Sequence, residues 1–176
     1  MKFTNFSLQK AFRLQDKPLT LIKQREIKQA GLYLYQDNLL DLLRDFLFHE
    51  DREVVYLPEH RGDNEILLGL LDLKSGENLS ALRDKTLDLK EKISKLLCFS
   101  QPYLTPGELF GCLKDNPEIA LVIVEGWRSF IPPGTNADPL ELLRELKKIS
   151  ALSGTAIIFQ REPDLEPFTG EFLGQF

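Results

Sequence analysis

An α/β fold, with a mainly parallel sheet of about five strands and helices on both faces, is predicted by two regularities of the chain. Five short apolar runs recur along its 176 residues: "GLYLYQ" (31–36), "EVVYLPE" (53–59), "KLLCFS" (95–100), "IALVIVE" (119–125) and "GTAIIFQ" (154–160). Each is dense in apolar and β-branched residues, which suits a strand buried on both faces of a parallel sheet. Segments with helical spacing of apolar residues separate them, and strand–helix alternation repeated this often points to a doubly wound sheet.

Taken in order, residues 1–30 read as an N-terminal extension, an edge or lid segment. It holds "LQKAFRLQ" and "LTLIKQREIKQA", irregular and more basic than the rest. The α/β domain follows over 31–165. Behind its first strand, "DNLLDLLRDFLFHED" spaces leucines and phenylalanines for a helix, with Asp37 or Asn38 as N-cap. The longest connection carries two amphipathic stretches, "NEILLGLLDL" and "NLSALRDKTLDLKEKISKL". "LTPGELFGCLKDN" makes a short helix, with Thr105 as N-cap and Pro106 at the first helical position. "DPLELLRELKKISALSG" makes the last, capped by Asp138, opened by Pro139 and ended by Gly154. Residues 166–176, within the Pro-, Gly- and acid-rich "REPDLEPFTGEFLGQF", read as a C-terminal tail.

Bulk properties narrow the function classes. A composition of 43% hydrophobic and 28% charged residues fits one globular domain of this length. The net charge of −5 disfavours non-specific attraction to nucleic acid. Cys98 and Cys112, the only cysteines, sit in apolar surroundings and read as buried thiols. With no CxxC pair and two histidines, no metal site is expected. No apolar run approaches the ~20 residues that span a bilayer, and the N-terminus has no signal-peptide core, so a cytoplasmic protein is expected.

The order of these elements resembles the ATPase core of the RecA superfamily, most of all DnaB-type replicative helicases and their KaiC-like relatives. Four stretches carry the likeness. "REVVYLPEH" is similar to the strand whose end bears a catalytic glutamate in that family, at Glu59 here, and "NEILLGLLDLKSGENLSALRDKTLD" takes the place of the following helix and loop. "LLCFSQPYLTPGELFGCLKDNPEIALVIVEGWRSF" resembles the strand, capped helix and Walker B strand, ending on Glu125. "DPLELLRELKKISALSGTAIIFQRE" resembles the next helix and a strand ending in a phosphate-sensing polar residue, Gln160. The resemblance covers about residues 30–165 and implies a strand order of third, second, fourth, fifth, first.

The family's phosphate loop is where the chain departs from it. A P-loop needs G-x-x-x-x-G-K-[ST], glycines for backbone N–H groups to cradle phosphates, Lys for charge and Ser/Thr for Mg²⁺. Here the first strand runs through Gln36, Asp37 and Asn38 straight into "LLDLLRDFLF", and the motif occurs nowhere in the chain. Asp37 would repel a phosphate. Glu125 stands where the family usually has the shorter Asp, and one carboxylate without the P-loop hydroxyl is a poor Mg²⁺ ligand set. Gln36, Asp37, Asn38, Glu59, Glu125 and Gln160 are therefore expected as degenerate nucleotide-site positions, with no catalytic residue, cofactor or metal.

Trp127 and Arg128 open a Pro/Gly-rich loop, "GWRSFIPPGTNADP", suited to presenting an interface. Arg61 and Arg161 join them as candidate contact residues, and Arg61, Arg128 and Arg161 as arginines offered to a neighbouring subunit. His60 lies in "EHRGD", an exposed turn without a nucleophile nearby. Lys10, Arg13, Lys17, Lys23, Arg25 and Lys28 form a basic N-terminal set suited to a solvated helix face or to phosphate contacts. The leading expectation is a non-catalytic RecA-fold protein that associates with itself or with an intact RecA-type ATPase. Two alternatives are a nucleic-acid-binding accessory protein of replication or recombination, and an enzyme with a repurposed crevice or residual ATP binding. No membrane partner is expected.

Overall fold

The apolar runs fold as strands in the computed structural model, which describes residues 21–22, 25–26, 30–50, 52–72, 78–98 and 103–175. Two short strands come first among the described residues, β1 (Leu21–Ile22) antiparallel to β2 (Arg25–Glu26). The main sheet holds six strands among the described residues: β3 (Gly31–Tyr35), β4 (Glu53–Leu57), β5 (Leu96–Cys98), β6 (Ile119–Val124), β7 (Ala156–Gln160) and β8 (Leu173–Gln175). All pair in parallel, in the order β5-β4-β6-β7-β3-β8. The first five positions follow the order implied by the helicase-like resemblance.

β8 corrects the reading of 166–176 as a tail. Leu32, Tyr33 and Leu34 pair with Leu173, Gly174 and Gln175, and Leu173 is buried. Three residues after a Pro/Gly-rich stretch are too short to show strand periodicity, and their pairing with β3 decides their state. The basic set at Lys10, Arg13, Lys17, Lys23 and Lys28 lies outside the described residues, as does the strand end Phe99–Ser100.

Alternate side chains of each strand serve two cores. Tyr35, Val54, Tyr56, Leu121, Ile123 and Ile158 face α1 (Leu39–His49), α2 (Asp63–Leu71) and α3 (Leu79–Lys92). Leu34, Val55, Leu57, Val122, Val124 and Phe159 face α4 (Pro106–Asp115) and α5 (Pro139–Ser153). All six residues of β6 are buried, at roughly 1.5–3 kcal/mol for each large side chain removed from water. β6 is thus the spine of the sheet. Cys98 and Cys112 are buried free thiols on opposite faces, and burial pushes both pKa values up to about 12. Neither is a nucleophile near neutral pH.

Local chemistry sets the helix ends. Asn38 caps α1, its side chain accepting from Leu40 N–H. Thr105 and Glu108 form a reciprocal capping box on α4, and these hydrogen bonds hold the Glu108 carboxyl below its ordinary range. Asp138 caps α5, which ends on Gly154 in the left-handed region at φ 70°. Because every strand of the sheet runs the same way, the residues that follow β3, β4, β6 and β7 share one edge. Among the described residues, no helix is long and apolar enough to cross a membrane.

Candidate functional site

The carboxyl edge of the sheet gathers most of the candidate residues, in two groups. The first is the turn between β3 and α1. Only Gln36, Asp37 and Asn38 lie between Tyr35 and Leu39. Asn38 Oδ1 accepts from Leu40 N–H at 3.1 Å, and the Asn38 carbonyl accepts from Asp41 and Leu42 at 3.1 and 3.3 Å. The Gln160 amide reaches over from β7 and donates to the carbonyls of Tyr35 (3.3 Å) and Asp37 (3.1 Å). The turn is therefore short, capped from within and tied to the neighbouring strand.

The second group surrounds Glu125. β6 ends at Val124, and Glu125 N–H still donates to Leu57 O on β4 at 3.0 Å. This continuation aims the Glu125 side chain back along β4. Its Oε1 accepts from the Tyr56 phenol at 2.5 Å and pairs with Arg61 Nε at 2.5 Å, and its Oε2 accepts from Glu59 N–H at 3.2 Å. The carboxylate is 11% exposed and Arg61 42%. Burial first, and then the hydrogen bond to Glu125, push the Tyr56 phenol far above its ordinary pKa, so it remains a donor. Both oxygens of Glu125 are thus engaged by the protein itself. Among the described residues, no group of three or more His, Cys, Asp or Glu is placed to hold a metal ion.

Glu59 lies across Gly126. A Cβ added at Gly126 would collide with the Glu59 carboxylate, so the missing side chain makes room for it. The Glu59 carboxylate is 3.8 Å from His60 Nε2, and the His60 side chain is largely exposed.

Trp127 corrects the expectation of a presented aromatic contact. Residues Trp127–Phe130 form a 3₁₀ turn that packs Trp127 and Phe130 into the core beside α4 and α5, leaving Trp127 3% exposed. Arg128 points outward instead, 57% exposed. Its guanidinium lies 4.6 Å from the centre of the Trp127 ring, 2.6 Å from Asp164 Oδ2 and 3.9 Å from Glu162 Oε2. Glu162 Oε1 accepts from Trp127 N–H at 3.1 Å. Burial raises the Glu162 pKa, and Glu59 and Asp164 add to the rise against the Trp127 N–H and Arg128. Arg161 is paired too, at 2.7 Å from Glu166. Each of the three candidate arginines thus holds a carboxylate of its own chain.

Beside this cluster opens a cleft of about 450 Å³, walled by the Ile131–Ala137 loop, floored by Trp127 and Ser129 and rimmed by Glu59, His60, Arg128 and Asp164. Among the described residues, the buried Trp127 Nε1 and Ser129 Oγ have no hydrogen-bond partner.

Tyr56, Glu162 and Asp164 were not distinguished by the sequence. Tyr56 lies there inside the apolar run 53–59, and Glu162 and Asp164 inside the Pro-, Gly- and acid-rich stretch that begins "REPD". The available signal was the pair of acids, Glu162 and Asp164, within four residues of Gln160 at the carboxyl edge.

No protein-family profile matches the chain, and no curated protein sequence does. Among solved structures, a DnaB-like replicative helicase, described with its interactions with primase, superposes with a TM-score of 0.55 at 13% identity. The match covers 80% of this chain and 41% of the helicase chain, so this chain spans less than half of that neighbour. The RadB recombinase also matches, with a TM-score of 0.43 at 15% identity over 76% of this chain and 61% of that one. The superposition on the helicase chain and the parallel sheet between helical layers together show an α/β fold of RecA-like type.

Proposed function

We propose that this chain is a non-catalytic protein of RecA-type fold that acts by associating with other proteins, either further copies of itself or an intact ATPase of similar fold. The observation that carries the reading is the β3–α1 turn. A phosphate site at this place in the fold needs a long glycine-rich loop whose N–H groups point at the ligand. The three-residue connection leaves no such loop, Asn38 uses the helix N-terminus for its own cap, and Gln160 spans the turn.

Glu125 supports the same reading. A carboxylate that accepts from Tyr56, Arg61 and Glu59 N–H has little capacity left for a hydrated Mg²⁺. Arg61, Arg128 and Arg161 already neutralise acids of their own chain, so a neighbour that used them would have to displace Glu125, Asp164 or Glu166.

Titration with Mg²⁺ and ATP tests this directly. The expected outcome is no thermal shift at millimolar nucleotide, because a bound ligand stabilises by RT ln(1 + [L]/Kd). A shift that saturates below about a millimolar would overturn the non-catalytic reading. Solution mass over a concentration series then tests self-association. A strict monomer that also fails to bind an intact RecA-type ATPase would overturn the assembly reading.

A further inference from the structure

The cleft beside Arg128 is separate from the β3–α1 turn, and its chemistry is distinctive. Its about 450 Å³ lies within the range of ligand pockets, and it opens outside the carboxyl ends of β4 and β6, where α/β sheets place ligands. Glu162 and Asp164 share the guanidinium of Arg128, and Glu59 stands close enough to add to the raised pKa of Glu162. The adjoining pair, Glu125 and Arg61, is internally balanced. The rim is therefore an acidic surplus, and a phosphate or nucleic-acid strand would meet repulsion there.

The floor adds an independent observation. Trp127, 3% exposed, and Ser129, 9% exposed, both line the cleft, and each carries a buried polar atom without a partner among the described residues. Indole N–H is a donor only, and a seryl O–H can donate, so the floor calls for acceptors such as main-chain carbonyls. Ile131, Pro132, Pro133 and Ala137 give an apolar wall, suited to the aliphatic stem of a long cationic side chain.

We propose that this cleft binds a basic segment of a partner protein, taking one Arg or Lys side chain between Glu59 and Asp164 and its main-chain carbonyls over the Trp127–Ser129 floor. Arg128 shows the mode in miniature, since its own guanidinium rests on the Trp127 ring with Asp164 at 2.6 Å. An incoming cation shares or replaces that contact, and displacement of Arg128 uncovers the indole. The inference deepens the reading of the chain as a binding protein by naming the partner's chemistry, and it rests on that reading.

Trp127 is the only tryptophan in the chain, so tryptophan emission, excited to the red of tyrosine absorption, reports this cleft alone. Blocked pentapeptides with a central Arg, Lys, norleucine or Glu between alanines are titrated into the intact protein. The expected result is a saturable Trp127 signal with Arg and Lys, at about tenfold tighter binding than norleucine, since the charged contact is the difference between them. The Glu peptide should give no saturable signal. Glu59→Gln and Asp164→Asn should each weaken the Arg peptide about three- to tenfold, while Glu118→Gln, at the opposite end of β6, leaves it unchanged. Equal responses to Arg and norleucine, or no response to either cation in the unmodified protein, overturn the proposal even if a variant fails to fold. Tight Mg²⁺–ATP binding with an intact peptide response overturns the non-catalytic reading alone, and absent peptide and ATP responses overturn this site alone.

Discussion

Glu125 is held by donors from three points of the chain, and Tyr56 is the one that strand β4 buries completely. Its phenol stays protonated because burial and the Glu125 carboxylate both oppose ionisation. Tyr56→Phe keeps the packing and removes only the hydroxyl. A hydrogen bond to a charged acceptor contributes roughly 1.5–3 kcal/mol, so an unfolding free energy lowered by that amount, read as a lower urea midpoint at unchanged slope, is the expected outcome. Glu162 makes the contrasting case, because its pKa is raised by burial with Glu59 and Asp164 adding to the rise. A carboxyl with a raised folded pKa binds its proton more tightly folded than unfolded. Its contribution to stability is complete below the unfolded pKa and is lost as pH rises through the folded one. Glu162→Gln can still accept from Trp127 N–H but has no proton to lose. Melting temperatures from pH 4 to 8 should fall less steeply above the ordinary glutamate range in the variant, and the two proteins should converge towards pH 4. Parallel curves would contradict the assignment.

The β3–α1 turn shows what an element owes to its ends. Asn38 supplies a side-chain acceptor for α1 and Gln160 fastens the turn from β7, so the two substitutions should separate. Asn38→Ala should cost about 1 kcal/mol by the loss of a helix cap. Gln160→Leu should leave the cap intact while speeding amide exchange at Asn38 and Leu40, which hydrogen-exchange NMR would read. Equal exchange in the variant and the parent would remove Gln160 from the turn. Ends of this kind were legible in the sequence where one residue type decides them: Thr105 with Pro106, Asp138 with Pro139, and Gly154 in a conformation that other residues seldom adopt. The positions of Glu59, Glu125 and Gln160 at strand ends were legible for the same reason. Their partners were not. The bond from Tyr56 to Glu125 depends on the register that sets Leu57 beside Val124, and register is a property of two strands. Glu162 and Asp164 come from a loop with no periodicity, and the direction of Trp127 is set by a 3₁₀ turn of four residues. Asp37 and Asn38 offered equal capping chemistry, and the backbone chose Asn38.

At the scale of the whole molecule, β8 governs how the sheet ends. Without it β3 would be an edge strand, with one row of backbone donors and acceptors open beside the turn that characterises this protein. Gly174 fits the strand closely against its neighbour, since a Cβ there would lie 2.8 Å from Tyr33 Cδ1. Two changes separate the packing role of β8 from its edge-covering role. Leu173→Ala removes a buried side chain but keeps the ladder, and should lower stability by about 2–5 kcal/mol. Deletion of residues 173–176 removes the ladder too and leaves β3 able to pair with a second molecule. Denaturant midpoints should therefore fall in both proteins, whereas light scattering should rise with concentration only in the deletion. Scattering that rises equally in both would place the cause in general destabilisation, because the open edge exists in only one of them.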